Sequence, residues 1–105
     1  MKDRRRARGG CIASDRIMAD GLPVRFMYRE HPLNPQDSGW IFLSGVEDED
    51  EMDDASRHRV HDVGAVADHD PSIAPFLDAP VGSVFEKVPG APDFTLVTDW
   101  APPRD

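Results

Sequence analysis

Ten prolines and eight glycines are spread along these 105 residues, and they set the first limit on the fold. Proline cannot sit in a helix interior without breaking it, and glycine weakens one, so long helices are interrupted and turns must be frequent. An all-helical architecture is disfavoured; short elements joined by loops are expected. A chain of this length can bury one modest core. With 39% apolar and 30% charged residues it has a globular composition and not a disordered one, so a single folded domain is the expectation.

Local patterns place the elements. Cys11, Ile12 and Ala13 form a short strand, after which Ser14 caps a brief helix that runs through Met18 and stops at Gly21. Val24, Phe26 and Tyr28 alternate with Arg25, Met27 and Arg29, the period of a half-buried strand. Pro32 and Pro35 interrupt the chain. Trp40 to Leu43, bulky on both faces, then reads as a central strand that makes a hairpin with the Val24 to Arg29 strand through a long connection. Asp62 can cap a short helix with Val63, Val66 and Ala67 on one face, despite Gly64. Asp70-Pro71 starts another, with Ile73, Phe76 and Leu77 on its apolar side and Pro75 limiting its length. Strands at 83–88 and 94–98, joined by a turn from Pro89 to Pro92, make a C-terminal hairpin. The sum is an α+β fold: an antiparallel sheet of about four to five strands with short helices packed on one face. No internal repeat is present.

Charge is unevenly distributed. The formal net charge is −8, yet five of the twelve cations lie in the first eight residues (Lys2, Arg4, Arg5, Arg6 and Arg8). We read residues 1–9 as a flexible basic tail, 10–100 as the domain and 101–105 as a C-terminal tail. Beyond the first eight residues, seven cations face nineteen acids, which disfavours a nucleic-acid-binding surface. No apolar run approaches the roughly 20 residues needed to span a bilayer, and no apolar segment follows the basic start as a secretory signal requires. The single cysteine, Cys11, cannot form an internal disulfide, which fits a reducing compartment. The expected location is the cytoplasm.

The extreme local feature is the segment Glu47, Asp48, Glu49, Asp50, Glu51, Met52, Asp53, Asp54, with seven acids in eight residues. Mutual repulsion and hydration oppose its packing, so an exposed loop is expected. It is not a calcium loop: Asp48 and Asp50 fit the alternation, but Met52 takes the third ligand position and no glycine follows. As a surface it would steer a partner of basic charge. His58, His61 and His69, near Asp62, Asp68 and Asp70, raise a metal-site reading, but the spacing supplies no matching second pair and Arg57 and Arg59 oppose a cation. Cys11 reads as a small core residue and not a nucleophile. No nucleophile elbow, phosphate loop or dinucleotide fingerprint occurs, so neither a catalytic residue nor a cofactor is expected. Trp40 and Tyr28 read as core anchors with interface use as the other option, and Trp100 either packs back on the sheet or is exposed.

An ordered set of residues carries a resemblance: Gly10 to Ser14, Gly21 to Val24, Met27-Tyr28-Arg29-Glu30, Asp37-Ser38-Gly39-Trp40 with Phe42 and Gly45, the acidic segment, Asp70-Pro71-Ser72-Ile73, Pro75, Leu77-Asp78, Pro80, Gly82-Ser83 and Phe85-Glu86. From about Gly10 to Phe85 the chain resembles the bacterial domain-of-unknown-function family catalogued as the thirty-third immunity-protein class of polymorphic toxin systems. The resemblance implies a compact cytoplasmic α+β protein that protects its producer by binding a toxin, with no catalytic residues to carry over. Its signature positions here are Tyr28, Arg29, Asp37, Ser38, Gly39, Trp40, Asp70 and Pro71. The arginine-rich start and the segment from Ala55 to His61 depart from the family's usual look. The expected partner is therefore a cognate toxin, or another protein with a basic surface, met by Glu47 to Asp54. The competing expectation is a regulatory domain that binds a small ligand or metal around His58, His61 and Asp62, or a general interaction domain without a toxin.

Overall fold

In the computed structural model, residues 9–98 are described. Apart from Gly9, the expected tails lie outside them, as does Trp100. The strands are β1 (Gly10–Ser14), β2 (Phe26–Arg29), β3 (Asp37–Leu43), β4 (His58–Asp62), β5 (Val84–Glu86) and β6 (Thr95–Leu96). The helices are α1 (Asp15–Met18), α2 (Glu49–Asp53) and α3 (Val63–His69), with short 3-10 turns at Ala55–Arg57 and Pro71–Phe76. The fold is α+β, as expected.

One six-stranded sheet runs β4-β1-β3-β2-β5-β6, one strand more than the upper expected number. It is not purely antiparallel, because β1 lies parallel to β3. Both departures concern β1, whose two neighbours come from distant sequence. The extra strand, β4, occupies His58–Asp62, where a lone valine between charged and imidazole side chains gives no apolar alternation. It exists because β1 offers it a full antiparallel ladder from Gly10↔Asp62 to Ser14↔His58. The β2–β3 and β5–β6 hairpins are as read from sequence.

Pairing sorts the side chains into two faces, since directly opposed residues share a side. One face carries Cys11, Ala13, Met27, Trp40 and Phe42, covered by Ile17 of α1, Val63 and Val66 of α3, and Ile73 and Leu77 beside the second 3-10 turn. Each large side chain removed from water here contributes about 1.5–3 kcal/mol. The opposite face carries a smaller cluster, Tyr28, Leu43 and Val84, with Phe26, Ile41 and Val97 half-buried against it. Strand β2 is thus packed on both sides, with Met27 fully buried. The alternation had suggested a strand with one wet face; β3 and β5 on either flank make it internal.

Candidate functional site

The acidic segment is not a loop. Asp48 caps α2 by accepting a hydrogen bond from the Glu51 amide (2.8 Å), and acids in a first helical turn complement the positive helix end. Glu51 turns inward and is only 9% exposed. Arg16 of α1 grips it with two parallel hydrogen bonds, Nε to Oε2 at 2.8 Å and the terminal nitrogen to Oε1 at 2.7 Å, the strong bidentate form of the pair. His58 Nε2 lies 2.8 Å from the Glu51 carbonyl oxygen, which ties the end of α2 to β4. Repulsion among seven acids is overcome because a cation from another element neutralises one of them at the buried position. The arginine holds the Glu51 carboxyl below its ordinary range, and the carboxylate raises the guanidinium.

The other six acids divide by employment. Glu47 accepts from the Ser44 amide (2.9 Å), the Ser44 hydroxyl (2.7 Å) and the Gly45 amide (3.0 Å). Burial raises its carboxyl, but the hydrogen bonds from serine and backbone outweigh this and leave it lowered. Asp48 spends one oxygen on the cap. Asp54 accepts from Ser56 and is held low by it. Among the described residues nothing engages the carboxylates of Glu49, Asp50 and Asp53, all of them exposed.

The signature residues form joints of the scaffold. Arg29 donates from Nε to the Ser38 carbonyl (2.9 Å) and from a terminal nitrogen to the Ala79 carbonyl (2.7 Å), and its guanidinium lies 5.7 Å from the Trp40 ring centre. Trp40 donates Nε1 to the Leu77 carbonyl at 3.1 Å, and the Ser38 hydroxyl accepts from the Trp40 amide (3.1 Å). Asp37 accepts the amides of Leu33 and Gly39, fixing the β2–β3 connection. Asp70 accepts from the Val24 amide (2.9 Å) and from Ser72, while Pro71 opens the 3-10 turn. Burial raises the Asp70 carboxyl, but these bonds dominate and leave it lowered. Tyr28 is 8% exposed, and burial, with the nearby Glu30 charge, pushes its hydroxyl up to about 12. These positions tie the strands to the connections and turns beside them; they do not gather into a pocket.

The histidines disperse. His58 serves α2, His69 Nε2 lies 2.9 Å from the Leu22 carbonyl oxygen, and His61 Nε2 is buried without a hydrogen-bond partner. Among the described residues no three His, Cys, Asp or Glu side chains come together in a way that could hold a metal ion. Cys11 is 2% exposed in the main core; burial, then the charge of Asp62, pushes its thiol up to about 12, the opposite of activation. Among the described residues no helix is long and apolar enough to cross a membrane.

Sequence reasoning placed the helices on one face of the sheet but missed the apolar row that crosses the other. The register aligns Val60, Ile12, Ile41, Tyr28 and Val84 in one row across β4, β1, β3, β2 and β5. Two cavities open on this face, one of about 660 Å³ at the α2 side and one of about 280 Å³ between Ile12, Leu33 and Val60. Only knowledge of which strands are neighbours reveals the row. Comparison with curated proteins and with solved structures yields no match. The family model of the Immunity protein Imm33 domain matches residues 11–97, from the second residue of β1 to just beyond β6. The chain belongs to the Imm33 immunity-protein domain family.

Proposed function

We propose that this chain is an immunity-type binding protein that neutralises a cognate toxin by contact and without catalysis, using α2 as the charged part of its docking surface. Family membership supports the immunity role. The observation that carries the choice of surface is that Glu49, Asp50 and Asp53 project unengaged from a helix whose own buried acid is clamped by Arg16. Charges held on an anchored helix, with no internal partner to give up, attract a basic surface at long range and raise the association rate more than the affinity. If the toxin is a nuclease, the same carboxylates occupy the groove that otherwise accepts phosphates. The cytoplasm is the site of action under this reading, consistent with a lone buried thiol.

Reversing Glu49, Asp50 and Asp53 to lysine tests it in stopped-flow association with the cognate toxin. The expected result is a slower association rate, by about tenfold or more at low salt, with a flattened dependence on ionic strength. Unchanged rates across salt concentrations would remove α2 from the docking surface.

A further inference from the structure

Large apolar side chains exposed to solvent are not scattered at random over this molecule. Val46, Met52 and Val88 are 57%, 40% and 53% exposed, and all three line the 660 Å³ cavity on the sheet face opposite the main core. Its floor includes Leu43, and its size falls within the range of roughly 300–1,000 Å³ typical of ligand pockets. Apolar groups that converge on one concavity beside polar groups mark a recognition site more often than isolated ones do.

The charge around this cavity says what it suits. Met52 belongs to α2, so the acidic helix is one wall. Glu49, three residues earlier, shares the Met52 side of the helix. Glu47 and Glu86 also line the cavity, with Arg25 and Lys87 as the cations. Lys87 is turned away, its ammonium 2.9 Å from the Ser72 hydroxyl and 5.2 Å from the Phe94 ring centre. The lining itself is balanced, two acids against two cations, and the excess of negative charge comes from the exposed acids of α2 at its edge.

We infer that the cavity receives the apolar anchor of a basic protein partner: an aliphatic or aromatic side chain on a segment whose flanking lysines or arginines meet the α2 carboxylates. This rests on the docking role proposed for α2 and adds a division of labour to it. The rim charges set the rate of encounter, and the desolvated anchor sets the lifetime of the complex, as in interfaces with an apolar centre and a polar rim.

The experiment uses the full chain, labelled with nitrogen-15, and two synthetic peptides of equal length and charge, one of leucine and lysine and one of serine and lysine. The Leu–Lys peptide is expected to shift the amides of Leu43, Val46 and Val88, which line the cavity outside α2, together with those of α2, and to bind about tenfold more tightly than the Ser–Lys peptide, the difference that burying one large apolar side chain supplies. Met52→Ser and Val88→Ser, both at exposed positions, should abolish that difference while leaving Ser–Lys binding unchanged. Equal affinities, with shifts confined to α2, would overturn the anchor cavity and leave the acidic docking surface standing. Cavity shifts without any at α2 would overturn both. Cavity shifts that grow with protein concentration alone would assign the face to a second copy of the chain. Leu–Lys binding that appears only after deletion of residues 99–105 would assign it to the chain's own end. Either result overturns the proposal.

Discussion

Cys11 shows how little a residue's reactivity depends on its type alone. Its thiol sits among core side chains, where burial first, and the negative field of Asp62 and Asp37 next, push it from 9.0 to about 12, against a smaller lowering from the His61 backbone. A raised value means that the folded state keeps the proton longer than the unfolded one. The associated stability is complete below about pH 9 and is lost as pH rises toward 12. Tyr28 acts in the same direction. Native protein should therefore resist iodoacetamide at pH 8 and react promptly in denaturant, and Cys11→Ala should flatten the alkaline limb of stability. Native-state alkylation as fast as that of a free thiol would place Cys11 at the surface. Gly39 is a second case. It lies in the irregular stretch of β3 where the β1 partner jumps from Asp37 to Ile41, with φ at +86°. A Cβ there would overlap the Glu30 carbonyl oxygen. Gly39→Ala should cost at least the roughly 1–3 kcal/mol of a strained left-handed residue, measured by urea denaturation. The resemblance singles out Gly39 and Arg29. It cannot show that Arg29 reaches the Ala79 carbonyl, fifty residues away, because that bond is made by tertiary placement.

At the level of elements, α2 and β4 are the instructive cases. The composition of Glu47 to Asp54 predicts an exposed loop, yet the spacing Asp48-x-x-Glu51 is that of a helix cap followed by its third residue, a pattern that identifies a helix start. What the sequence could not supply is Arg16, thirty-five positions away, without which the buried carboxylate would lose the cation that hydrogen-bonds it. Arg16→Gln should accordingly release α2: amide exchange at 49–54 should quicken, with β2 and β3 protected as before. Exchange unchanged in α2 would mean that the Asp48 cap and His58 suffice. Acid should act on the same joint. Glu47, Glu51, Asp54 and Asp70 all have lowered carboxyls. Their stabilisation is present above the unfolded values of about 4 and disappears as pH falls through the lower folded ones. Unfolding in acid should begin below about pH 4, with α2 the first element to lose exchange protection. A stability profile flat down to pH 2 would contradict this. Strand β4 was illegible for the complementary reason: its strand character comes from the partner β1 offers it and not from its own side chains.

Across the whole molecule, the hairpins and the three core-covering helical segments were readable because local periodicity specifies them, whereas the order of strands was not. The parallel β1–β3 pairing and the β1–β4 ladder join segments separated by many residues, and this order decides which apolar side chains meet. It sends Trp40, Phe42, Ile73 and Val66 to the face covered by helices, and leaves Leu33 and Val60, 91% and 74% exposed, at the other. The two faces should therefore make unequal contributions to stability. Phe42→Ala should destabilise by about 3–5 kcal/mol and Ile73→Ala by about 2–5 kcal/mol, since both leave cavities in a closed core. Leu33→Ser and Val60→Thr should change stability by no more than about 0.5 kcal/mol, as substitutions at exposed positions do. Urea unfolding of the four variants makes the comparison. If Leu33→Ser or Val60→Thr costs as much as the core variants, the open face is a second load of structural packing. If they cost nothing, its exposed apolar groups are surplus to folding, and an interaction is the remaining physical use for side chains that water disfavours.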